Sequence, residues 1–118
     1  MKGERSIHIG TSGWHYRHWK GPFYPDDIAS GDWLDHYAAH FRTVEINNSF
    51  YRLPSEKTLA GWRDTVPAGF IFSVKASRYI THVRKLKDPS ETLPPLLGRI
   101  EELEGHLGPV LFQLQPSW

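Results

Sequence analysis

The stretch Thr43–Pro54, TVEINNSFYRLP, constrains the fold of this chain more than any other. Val44 and Ile46 alternate with Glu45 and Asn47, the period of a strand with one apolar face. The apolar pair then meets a covering layer, and the carboxylate and the amide point the other way, into whatever the sheet encloses. Such groups cost several kcal/mol when buried without partners, so that face needs partners, water or a ligand. Ser49, Phe50, Tyr51 and Arg52 follow before Pro54 closes the stretch. Polar groups at the carboxyl end of a strand, followed by aromatics, mark a candidate site.

Around this strand the chain repeats one rhythm. Ile7–Ile9 is predicted as a short strand ending in the turn Gly10-Thr11-Ser12-Gly13, whose glycines allow close approach of backbone to a ligand. The turn lacks the lysine and the spacing of a P-loop. A long aromatic loop follows, with Trp14, Tyr16, Trp19, Phe23 and Tyr24. It reads equally as a binding loop and as an aromatic plug over the core. A helix capped by Ser30 runs to Phe41, with Trp33, Leu34, Tyr37, Ala38 and Phe41 on one face. His36 and His40 sit i, i+4 on it but off the apolar face, and are read as a solvated pair rather than as metal ligands. His15 and His18 lack a clear third ligand.

Ser55 is placed as the cap of a helix through Val66, buried along Leu59, Trp62 and Val66. A third strand, Phe70–Ala76, sends Phe70, Phe72 and Val74 one way and Ile71, Ser73 and Lys75 the other. The segment Ser77–Lys87 is basic, with Arg78, Arg84, Lys85 and Lys87, and contains Tyr79 and His82. A helix with Pro94 and Pro95 in its first turn, starting as early as Ser90, is ended by Gly105, Gly108 and Pro109. Val110–Leu114 is the fourth strand, with Gln113 and Gln115 on the side of Leu111.

The order β-α-β-α-β-α-β, with strands roughly 30 to 40 residues apart, is that of a parallel α/β fold. Such folds place their sites at strand carboxyl ends, where these polar groups cluster. Composition narrows the remaining classes. A net charge of +1 gives no global field of the kind that marks nucleic-acid binders. The absence of cysteine excludes disulfides and thiolate chemistry. No apolar run approaches the ~20 residues of a membrane span, and MKGERSIHIG lacks the apolar core of a signal peptide. A cytoplasmic protein without a membrane partner is expected.

The motifs GTSGW, Tyr24-Pro25, VEINNSFYRLP, FSVKASRYITH and LGPVLFQLQPSW, in this order, resemble the YecE-like family, domain of unknown function 72. The likeness extends over nearly the whole chain after Ser6. It implies a TIM-type (β/α) barrel of about twice this length. The family motifs map onto Ser12, Gly13, Trp14, Glu45, Asn47, Phe50, Tyr51, Lys75, Thr81, His82, Gln113 and Gln115. The family has no settled biochemical activity, so the resemblance implies a fold and a site but no reaction. A barrel needs eight strands and ~250 residues, whereas this chain has 118 residues and four expected strands. The chain is accordingly read as a single domain, about half a barrel and truncated. Two alternatives are self-association of two halves through their open strand edges and a small open sheet.

Glu45, Lys75 and His82 are the expected catalytic groups. Ser12, Trp14, Tyr16, Asn47, Tyr51, Arg78, Tyr79 and Gln113 are the expected substrate-binding ones. Strands two and three should be neighbours, so Glu45 and Lys75 can pair, either as a structural ion pair or as a base beside a cation. His82 can move protons near neutral pH. One carboxylate, one imidazole and Asn47 are too few ligands to assign a metal, and no cofactor is assigned. The expected function is a hydrolase or lyase acting on a phosphorylated, sugar-like or nucleotide substrate, hence an anion-binding site. The alternatives are a nucleic-acid-binding or nuclease-like barrel, supported by the basic loop interleaved with aromatics, and an inactive fragment.

Overall fold

A computed structural model describes residues 7–50, 52–84 and 86–114. Strands β1 (Gly10–Ser12), β2 (Thr43–Ile46), β3 (Ile71–Lys75) and β4 (Leu107–Leu111) alternate with helices α1 (Trp33–His40), α2 (Glu56–Thr65) and α3 (Pro89–Ile100). The strands form one sheet in the order β1-β2-β3-β4, and every pairing is parallel. The expected α/β order is therefore present.

The two faces of the sheet divide as the alternation in β2 and β3 requires. Val44, Ile46, Phe72 and Val74 are buried, while Glu45, Ser73 and Lys75 on the other face are only partly covered. The buried row packs with Leu34, Tyr37, Leu59, Leu96, Ile100 and Leu103 in one core. Tyr37 ties α1 to two strands, because its hydroxyl accepts from Thr11 N at 2.9 Å and donates to Thr43 O at 2.8 Å. Ser55 caps α2 as expected, its Oγ accepting from Thr58 N at 3.1 Å.

Several boundaries depart from expectation, each for a local reason. The first strand begins at Gly10 rather than at Ile7, and Ile7 and Ile9 are exposed. A Cβ at Gly10 would lie 2.0 Å from Thr43 O, so glycine sits where β1 approaches β2. Ser30 starts a 3-10 turn over Ser30–Asp32 and does not cap α1 with its side chain. Helix α3 starts at Pro89, which places Pro94 and Pro95 in its interior instead of its first turn. Each proline leaves the carbonyl four residues back unbonded. Those residues, Ser90 and Glu91, are exposed, so water can serve the carbonyls.

The fourth strand starts three residues early, and Gly108 and Pro109 lie within it rather than ending the helix. A Cβ at Gly108 would meet Ile71 Cγ2 at 2.4 Å. Pro109 lacks a donor, which an edge strand tolerates. The register confirms a bulge there, because Phe72 opposes Leu107 while Val74 opposes Val110. Two steps on β3 match three on β4.

Part of the aromatic loop after β1 plugs the core. Tyr24 is fully buried, stacks on Trp33 at 4.8 Å and donates to Trp14 O at 2.5 Å. Trp14 is itself buried, edge-on to Trp62 at 4.8 Å. Burial, with the neighbouring Tyr37 phenol adding to it, pushes the Tyr24 hydroxyl up to about 12. The unfolded phenol ionises near ~10, so the folded state holds one proton more between these values. Stability should therefore be intact below pH ~10 and fall as the pH rises toward about 12. Urea midpoints at pH 8 and pH 11 check this. Tyr24→Phe should flatten that decline, and an equally steep decline in the variant would contradict the assignment.

Candidate functional site at the strand carboxyl ends

The polar face of the sheet places Ser12, Glu45 and Ser73 side by side, since Ser12 opposes Glu45 and Glu45 opposes Ser73. Ser12 Oγ donates to Glu45 Oε1 at 2.7 Å. This charge-assisted bond holds one carboxylate oxygen toward β1. One turn above, Tyr16 Oη donates to Ser12 O at 2.5 Å and accepts from Asn47 Nδ2 at 3.3 Å. Gly13 has φ +81°, and a Cβ there would lie 2.4 Å from Tyr16 Oη. Glycine thus makes room for the tyrosine that links β1 to the end of β2. Ser12, Tyr16, Glu45 and Asn47 form one connected polar group.

Lys75 belongs to a second group. Its ammonium lies over the Phe50 ring, 4.4 Å from the centroid, a cation–π arrangement. The His82 ring meets the same phenyl ring edge-on at 5.1 Å. Buried Ser49 donates to Lys75 O at 2.6 Å, joining the end of β2 to the end of β3. This tie is not visible in the sequence around Ser49, because nothing in a local pattern says which strand a serine will reach.

The expected Glu45–Lys75 contact is not formed. The strands are neighbours, but the register puts Glu45 opposite Ser73 and leaves Lys75 nearer the carboxyl end. The carboxylate takes Ser12 and the ammonium takes Phe50. Glu45→Gln and Lys75→Met should therefore be additive in stability within about 0.5 kcal/mol, as for groups that share no partner. A double-mutant cycle in urea checks this, and a coupling above about 1 kcal/mol would mean that the side chains meet.

The remaining expected residues distribute unevenly. Buried Trp14 belongs to the core, but it also borders a cavity of about 770 Å³ that lies beside Gly13, Tyr16, Asn47 and the α2 residues Lys57 and Trp62. Lys57 carried no sequence signal as a site residue, being an exposed lysine in the first turn of α2. Arg78 and Tyr79 are exposed at the start of a π-helical turn, Tyr79–Val83. Gln113 is exposed and lies beyond β4. Tyr51, Lys85 and Gln115 lie outside the described residues. The basic loop is partly neutralised, since Arg84 pairs with Asp88 and reaches Glu91 at 3.7 Å. Among the described residues no group of three or more His, Asp or Glu is placed to hold a metal. His36 and His40 lie 5.0 and 5.4 Å from Phe23 in edge contacts, so the pair packs around an aromatic ring. No helix among the described residues is long and apolar enough to cross a membrane.

The family model "Protein of unknown function DUF72" matches residues 8–118. The chain belongs to the DUF72 family. It is 30% identical over 112 residues to the UPF0759 protein YecE of Escherichia coli K12, covering 95% of this chain and 39% of that one. It is 28% identical to the UPF0759 protein YunF of Bacillus subtilis, over 93% of this chain and 40% of the relative. The crystal structure of a DUF72 family protein of Thermotoga maritima superimposes with a TM-score of 0.81 at 33% identity. That match covers 94% of this chain and 45% of the solved one. A second DUF72 structure, from Enterococcus faecalis, gives a TM-score of 0.63 at 24% identity over 72% of this chain, a likeness of fold alone. The chain thus spans about 40% of the length of the curated DUF72 relatives it matches. The solved DUF72 neighbours are TIM-barrel-like and about twice as long, so the four parallel strands here are half of the eight in such a barrel.

Proposed function

We propose that the strand carboxyl ends bind an anionic small molecule, and that the assembled barrel is a hydrolase or lyase acting on a phosphorylated, sugar-like or nucleotide substrate. One observation carries the reading. A cation and an imidazole share the Phe50 ring, while a separate hydrogen-bonded carboxylate stands on the neighbouring strand. Because Lys75 is not consumed by Glu45, its charge is available to a ligand. The second oxygen of Glu45 carries no hydrogen bond among the described residues, which suits a general base. In this reading Lys75 and Arg78 hold the anion and His82 moves a proton. Ser12, Asn47 and Gln113 orient hydroxyl groups. Tyr16 and exposed Tyr79 offer ring faces.

The polymer-binding alternative has less support. Its basic loop contributes Arg84 to an ion pair with Asp88, which leaves fewer cations for successive phosphates. Titration with inorganic phosphate, a sugar phosphate and single-stranded DNA at two salt concentrations tests the two readings. A small anion should bind with a shallow salt dependence, and Lys75→Ala should weaken it about tenfold or more, the loss expected for a hydrogen-bonded charge. A steep log–log salt slope with DNA would favour the polymer. Failure of all three probes at millimolar concentration would end the anion reading.

A further inference from the structure

Thr81 is fully buried, and its Oγ1 lies 2.8 Å from His82 Nδ1. Among the described residues that ring nitrogen is the only hydrogen-bond partner of the hydroxyl. A buried hydroxyl proton without an acceptor is costly, and water does not reach this one. The hydroxyl therefore donates, and Nδ1 accepts. A neutral imidazole has one protonated nitrogen, so the proton sits on Nε2. That nitrogen has no hydrogen-bond partner among the described residues.

We infer that Thr81 is a positioning residue that holds His82 in its Nε2–H form, presenting a hydrogen-bond donor beside Lys75 to one oxygen of the bound anion. The backbone supports this placement. Residues Tyr79–Val83 form a π-helical turn directly after β3, a rare geometry that often marks functional positions. It turns Thr81 into the core while His82 stays half-exposed against Phe50. In neutral His82 the Nε2–H can donate to an oxyanion or pass a proton to a leaving oxygen, and Nδ1 is occupied. The substrate class is the one proposed above, and the assignment of His82 to an anion rests on that reading. The tautomer does not.

The test is long-range proton–nitrogen correlation spectroscopy of the labelled chain at pH 8, above the ordinary histidine range. The chain has seven histidines, and His82→Gln identifies the signal. The expected pattern is a dominant Nε2–H tautomer, retained in Thr81→Ser and mixed in Thr81→Val. A proton on Nδ1 in the parent chain overturns the inference, whether or not the valine variant folds. An unchanged tautomer in a folded Thr81→Val also overturns it. Inorganic phosphate is then titrated into the same samples. Binding should weaken roughly two- to tenfold in Thr81→Val, the range for one lost neutral hydrogen bond, and recover in Thr81→Ser. Silence toward phosphate with the Nε2–H form intact would refute the anion assignment while the Thr81–His82 coupling stands.

Discussion

Gly10→Ala should destabilise the chain by about 3 kcal/mol or more, the upper end of overpacking losses. A Cβ there would fall 2.0 Å from Thr43 O and 2.9 Å from Thr43 Cγ2. The nearest atom is backbone, so no side chain can swing away to relieve the contact. Relief would require β1 to separate from β2, which would break the Ser12–Glu45 bond and the Tyr37 link between the same strands. The loss is then structural and functional together. Gly61→Ala is the matched control, because nothing lies within 4 Å of its Cβ position and it sits inside α2. It should be stabilising by up to ~1 kcal/mol through helix propensity. Urea midpoints of both variants decide the matter. Equal midpoints for Gly10→Ala and the parent would show that the β1–β2 approach is not tight.

The second large effect is association. Strands β1 and β4 are sheet edges, and unpaired edges template further pairing. Leu111, at the end of β4, is 42% exposed, and Phe112 and Leu114 just beyond it are comparably open. Leu111 opposes Lys75 in register and so shares its face, the one turned away from the helices. In a complete barrel, four more strands would cover these positions. We expect the chain at micromolar concentration to sediment as a dimer or a larger species. Covering the exposed 42% of such a leucine contributes about 1 kcal/mol, and a two-fold assembly buries it twice. Leu111→Lys should therefore weaken self-association by roughly tenfold or more. A parent chain that melts cooperatively as a monomer at these concentrations would instead favour a self-sufficient open sheet.

The sequence by itself determined the parts governed by short-range periodicity. The alternation in TVEI and FIFSVK set two strands and assigned their buried and open faces correctly. Ser55 and the Leu59–Trp62–Val66 stripe set α2, and the four-strand, three-helix order followed. The strand-end location of Glu45, Asn47 and Lys75 was legible for the same reason, since period-two alternation fixes which side of a strand a residue occupies, whereas Ser12 was expected in a turn and lies in β1 itself. Tertiary structure decided what no window could show. Strand ends β1 and β4 moved by three residues because their limits depend on how closely Gly10 and Gly108 let neighbouring chains approach. The pairing of charges depended on register. Glu45 and Lys75 lie on adjacent strands with the same facing, yet a parallel register set them two residues out of step, giving Glu45 to Ser12 and Lys75 to Phe50. Register is a relation between segments distant in sequence, set by packing of the whole sheet, so partners at the site are fixed only when the strands have met.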